Sequence, residues 1–204
     1  MFKLNKTELG IFQKLNTQAK IQDFLNHLPI NFEKHGQTCY SPRQVLKYKK
    51  AHCLEGAMFA AAVLRFHGHQ PLLVDLKAAK SDLDHVIAVF KIENHWGAVS
   101  KTNHAALRYR EPIYKSIREL VMSYFHEYFM DDGKKTLRSY TMPVYLSRFD
   151  KQNWTTSNKE LWYIDKYLNQ VRHLPILSKK MQKDLRKADP IEIKAGKLTE
   201  WKPK

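Results

Sequence analysis

Apolar residues at Leu9, Phe12, Leu15, Ile21, Phe24, Leu25 and Leu28 recur at helical spacing and predict an amphipathic helix over residues 7–28. Thr7 and Glu8 supply a start signal and Pro29 a stop. Ser41-Pro42 opens a short helix through Val45 and Leu46. An alanine-rich apolar run then predicts a helix that begins at or just before Cys53 and ends near Phe66, ahead of Gly68. Residues 71–76 read as a buried strand and 77–84 as a polar loop. Residues 85–93 and 96–100 read as strands, and the short turn at Asn94-His95 should pair them antiparallel. A long helix is expected over 113–129, a strand-like stretch with a break at Pro143 over 137–149, and a helix over 158–174. The lysine-rich stretch from Ser178 onward reads as a basic, loosely packed arm.

The 204 residues fit one domain, expected over 1–177 with its core at about 42–150, and the arm over 178–204. The apolar run at 57–64 is far shorter than a membrane span, and the N-terminus lacks the pattern of a secretory signal. A soluble, cytoplasmic protein is therefore expected. Two cysteines, Cys39 and Cys53, make no disulfide framework. Neither CxxC nor HExxH spacing occurs, so no metal and no cofactor is expected. The net charge of +15 is spread over both halves of the chain. It fits an ordinary basic surface best; the other readings are attraction to nucleic acid, an anionic membrane or an acidic partner, although no nucleic-acid module is recognisable.

The chemistry on offer is a thiol and an imidazole. Cys53 stands at the start of a predicted helix, where the first turn offers free N–H groups and partial positive charge. His85 heads a predicted strand. A nearby imidazole at that strand end favours the thiolate, which is the nucleophilic form of cysteine. The small residues Gly56, Ala57, Ala60, Ala61 and Ala62 allow close approach of helix and sheet. The plainer alternative is a small buried cysteine in an ordinary core. Arg108, Tyr109, Arg110 and Tyr114 form a basic-aromatic cluster that reads either as an anion clamp or as arginine stems covering tyrosine rings.

The order Cys helix, strand, His strand, Trp strand resembles the core of the transglutaminase-like superfamily of papain-type cysteine enzymes. The residues that carry the resemblance are Cys53-Leu54-Glu55-Gly56-Ala57, Asp84-His85-Val86 and Trp96-Gly97-Ala98-Val99-Ser100, within about 51–101. The resemblance implies an α+β fold in which the Cys helix packs on an antiparallel sheet, with extra helices at both ends. It implies Cys53 as nucleophile, His85 as general base, and an acid or amide orienting the imidazole. That third position is Ser100 here, and Asn103 is the other candidate. The function implied is a thiol hydrolase or acyl transferase acting on a peptide, protein or small amide or ester. The alternative is a non-catalytic interaction module with a basic surface for an acidic partner. Asn31 and Gln44 lie where an oxyanion-binding side chain would stand, but read more simply as turn and helix residues.

Overall fold

The computed structural model describes residues 3–203. Its first helix, α1 (Lys6–Lys14), is capped by Asn5, and α2 (Gln18–His27) by Thr17. The single helix expected over 7–28 is therefore two. The Thr17 hydroxyl accepts from Lys20 N, a cap that restarts the helix after Leu15 has left helical geometry. Ser41 and Pro42 open α3 (Pro42–Tyr48), and α4 (Cys53–Phe66) follows with Cys53 as its first residue.

Strand β1 (Leu72–Ala78) pairs with β2 (His85–Ile92), and β2 with β3 (His95–Val99), antiparallel in both cases. Glu93 and Asn94, both at positive φ, make the two-residue hairpin turn. Residues 110–114 are a strand, β4 (Arg110–Tyr114), and only then does α5 (Ile117–Phe125) begin, capped by Ser116. The helix expected over 113–129 is thus shorter. Pro112 is tolerated because β4 is the outer strand. The strand-like stretch at 137–149 resolves into β5 (Leu137–Thr141), β6 (Val144–Tyr145) and a 3-10 helix (Leu146–Gln152). Of the helix expected over 158–174, α6 (Trp162–Gln170) forms, while β7 (His173–Pro175) joins the sheet.

The strand order is β4-β3-β2-β1-β5-β7, with β6 also on β1. Alternation along the strands splits the core in two. Leu73, Val86, Ala88, Phe90 and Val99 pack with α1, α2 and α4 on one face. Leu72, Val74, Ile87, Val89 and Ala98 meet Leu120, Val121 and Tyr124 of α5 on the other. Ala57, Ala60, Ala61 and Ala62 are fully buried, so the backbone of α4 lies close to the sheet. The C-terminal arm forms α7 (Lys179–Lys183) and α8 (Pro190–Gly196), then runs back along residues 103–108. Among the described residues no helix is long and apolar enough to cross a membrane.

Candidate active site

Glu55, on the first turn of α4, explains why the chain enters that helix as it does. Its carboxylate is fully buried and accepts from His52 N at 3.0 Å, Tyr40 N at 2.9 Å, the Thr38 hydroxyl at 2.8 Å and Asn31 Nδ2 at 3.1 Å. These bonds tie the 31–40 loop and residue 52 to the helix start, satisfying polar groups that burial would otherwise leave unpaired. Asn31 is held in this network, and Gln44 caps α3 and bonds Asn158 O.

Cys53 is partly exposed at the N-terminus of α4. Two imidazoles, His52 and His85, act on its thiol. Burial acts to raise the thiol pKa. The hydrogen bonds and positive charge of His52 and His85 outweigh it and hold the pKa well below the ordinary value.

His85, the first residue of β2, is buried. Its Nε2 lies 2.8 Å from Ser100 Oγ, just past β3. The Ser100 hydroxyl donates to Leu107 O at 2.5 Å. A carbonyl only accepts, so the single serine hydrogen goes there, and Ser100 Oγ must accept from His85 Nε2–H. In the uncharged ring this leaves Nδ1 bare as proton acceptor. Ser100 is itself clamped by α2: its N–H donates to Gln22 Oε1 at 2.9 Å, and Gln22 Nε2 donates to its carbonyl at 2.7 Å.

Asn103, the alternative partner for His85, is engaged elsewhere. Its Nδ2 donates to Trp201 O at 2.9 Å and its Oδ1 accepts from Trp201 N at 2.8 Å. Asp84 accepts from Lys77 Nζ and Ala78 N, and Asp82 from the Thr136 hydroxyl. The basic-aromatic cluster is no anion clamp. Arg110 pairs with Glu127 at 2.7 Å and lies over the Tyr124 ring, while Arg108 reaches Glu200.

His52 is the group that sequence reasoning passed over. Its Nε2 lies 3.0 Å from Thr38 O, 3.4 Å from Glu55 Oε1 and 3.9 Å from Glu33 Oε1. Burial acts to lower its pKa. The contact with Cys53, the Glu55 charge and the Thr38 carbonyl overcome this and raise it to about 9. The available signal was its position directly before the cysteine, with Glu three residues on, the spacing of a helix-capping pair.

Cys53 and His85 open into a cleft of about 500 Å³, walled by Ile30, Leu83, Leu107, Phe129 and Met130 and closed on one side by Ile193 of α8. Among the described residues no cluster of His, Cys, Asp or Glu could hold a metal ion.

Residues 3–99 match the family model described as a transglutaminase-like domain. The match takes in α1 to β3, and with them Cys53 and His85. No curated protein matches the chain.

Proposed function

We propose that the protein is a cysteine-dependent hydrolase or acyl transferase acting on an amide or ester. The transglutaminase-like domain makes cysteine chemistry the natural expectation. The observation that carries the reading is a thiol at a helix N-terminus that shares one cleft with an imidazole whose Nε2 is fixed by Ser100.

His85 Nδ1 takes the thiol proton as the sulfur of Cys53 attacks the carbonyl carbon, and the carbonyl π electrons move to oxygen. The N–H groups of the first turn of α4 face developing negative charge. Collapse of the adduct expels the amine or alcohol, which takes its proton from His85 and leaves a thioester on Cys53. Water, or an acceptor amine, then gives its proton to His85 Nδ1 and attacks the thioester. The acid or new amide departs and the sulfur is regenerated. Ser100 supplies no charge in this scheme; it fixes the ring and its tautomer. A non-catalytic module binding an acidic partner has no need of a thiol held so far below its ordinary pKa.

The test uses p-nitrophenyl acetate, a small activated ester. An acetyl adduct on Cys53, seen by mass spectrometry, and steady release of nitrophenol are expected. Cys53→Ala should abolish both, and Ser100→Ala should slow release about tenfold, the worth of one hydrogen bond near 1.4 kcal/mol. A wild-type thiol that neither acylates nor alkylates below pH 8 would leave the interaction module as the better account.

A further inference from the structure

We infer that the cleft selects the leaving half of the substrate: Leu83, Leu107, Phe129, Met130 and Ile193 enclose an uncharged, apolar chain on the amine or alcohol that departs. The inference rests on the thiol chemistry proposed above and says which half of the substrate the cleft holds.

A substrate bound across Cys53 has two halves. The acyl half stays on sulfur when the thioester forms. The leaving atom takes from His85 the proton that the thiol gave up, so it must come within hydrogen-bond reach of that ring. Whatever lies beyond His85 therefore faces the leaving half. The cleft lies on that side. Among the described residues that line it, only Ile30 and Cys53 precede residue 82. His52 and the 31–40 loop, bonded together around the start of α4, are not part of its wall. Leu83 stands two positions before His85, the spacing at which side chains of an extended chain share a side. Leu107 stands behind the ring, since its carbonyl accepts from the Ser100 hydroxyl that holds Nε2.

Leu83 is 84% exposed, yet its backbone is pinned on both sides. Its N–H donates to Asp82 Oδ1 at 2.8 Å, and its carbonyl accepts from the Tyr128 hydroxyl at 2.5 Å. Asp82 is bonded to Thr136, and Asp84 to Lys77 and Ala78, so the loop is anchored before and after the leucine. A single exposed leucine is ordinary. This one continues an apolar wall beside the nucleophile, and a chain laid along that wall removes apolar surface from water. Charge sets the other limit. The carboxylates of Asp82, Asp84, Glu127 and Asp131 line the cleft, and Asp131 is 86% exposed. Lys101, also in the lining, donates its Nζ to Leu25 O and Leu28 O. A leaving half that ends in a carboxylate, such as a single amino acid, meets repulsion there. An apolar alcohol, or an apolar residue inside a longer peptide, does not.

Two ester series separate the halves. S-ethyl, S-butyl and S-hexyl thioacetate share the acetyl group and lengthen only the leaving half. p-Nitrophenyl acetate, butyrate and hexanoate lengthen only the acyl half. Each buried methylene favours binding about threefold, so kcat/KM should rise about tenfold from S-ethyl to S-butyl thioacetate. The p-nitrophenyl series should stay within about twofold. S-(2-carboxyethyl) thioacetate, close in length to the butyl ester, should react at least about tenfold more slowly than it, on like-charge repulsion. Leu83→Ser should cut the ethyl-to-butyl gain to about threefold or less. That site is exposed, so the variant should fold, and an unchanged circular-dichroism melt checks this. A flat thioacetate series, or a gain in the acyl series as large as in the leaving series, overturns the inference and leaves the proposed function standing. A full gain retained in well-folded Leu83→Ser also overturns it. If none of these esters leaves an acetyl or longer acyl adduct on Cys53, the proposed function fails and this inference falls with it.

Discussion

Lys101 is a charged residue in an almost sealed place, 1% exposed beside the Cys53 helix. Its Nζ donates to Leu25 O at 2.8 Å and Leu28 O at 2.5 Å, closing the C-terminal end of α2. A cation suits the negative end of a helix dipole, but no carboxylate pairs with it. Burial pulls its pKa down to about 8, against some help from Glu200 and with Arg108 adding to the fall. Below pH 8 the ammonium is charged in both folded and unfolded chains, and its burial cost is fully present. Between about 8 and the unfolded value near 10.4, the unfolded chain binds more protons, so stability rises with pH. The rise due to Lys101 should be on the order of 2 kcal/mol. Urea unfolding at pH 7.5 and 9.5 of the wild type and of Lys101→Met reads it as a difference of differences. A variant that keeps the full pH-dependent rise would show that the burial cost lies elsewhere.

Among the elements, α4 has the tightest fit. A Cβ built on Gly56 would overlap the Lys101 side chain at its Cβ and lie 3.0 Å from its Cγ. Those atoms sit next to the backbone and have little room to swing away. Gly→Ala gains about 1 kcal/mol of helix propensity. Overpacking of this kind costs about 1–3 kcal/mol. The clash should win, and Gly56→Ala should lower the melting temperature by a few degrees in a circular-dichroism melt, whereas an equal or higher value would mean that β3 and α4 can separate cheaply. This helix was legible in the sequence because its apolar run, its small residues and the glycine after it agree. The hairpin of β2 and β3 was legible too, since β-branched and aromatic residues flank a two-residue turn. The break at Leu15 was not, because both halves share one apolar face and only the Thr17 cap divides them. Strand β4 carries Arg, Glu and Pro in five residues, and its pairing with β3 gives it a strand identity that its own composition lacks. Three-residue β7 likewise exists through β5. The order along the chain singled out Cys53, His85 and Ser100, and the structure brings Cys53 and His85 into one cleft with Ser100 on the His85 ring. The role of Glu55 as organiser of the 31–40 loop could not, because it depends on contacts between segments with no shared pattern.

At the scale of the whole molecule, the C-terminal arm and the His85 ring are joined by a short chain of contacts. Trp201 holds Asn103 by two hydrogen bonds, Leu198 O accepts from Ala105 N, Glu200 N donates to Asn103 O, and Arg108 reaches Glu200. The segment thus fixed, 103–108, carries Leu107, whose carbonyl takes the Ser100 hydrogen and so sets the tautomer of His85. His52 and Glu55 bond each other and the 31–40 loop and take no part in this chain. Loosening the arm should therefore disturb proton transfer by His85 while leaving the thiolate in place. Asn103→Ala removes the two bonds to Trp201, each worth about 1 kcal/mol when partly buried. It should slow p-nitrophenyl acetate turnover by roughly three- to tenfold, with the pH midpoint of Cys53 alkylation unchanged. Ending the chain at residue 187 should produce the same pattern more strongly, because Ile193 also leaves the cleft wall. Turnover unaffected by either change would separate the arm from the site. A shift of the alkylation midpoint would mean that the arm acts on the thiol itself rather than on the ring that moves protons. The expected pattern gives Asn103 an indirect part in the reaction: it reaches His85 only through Leu107 and Ser100.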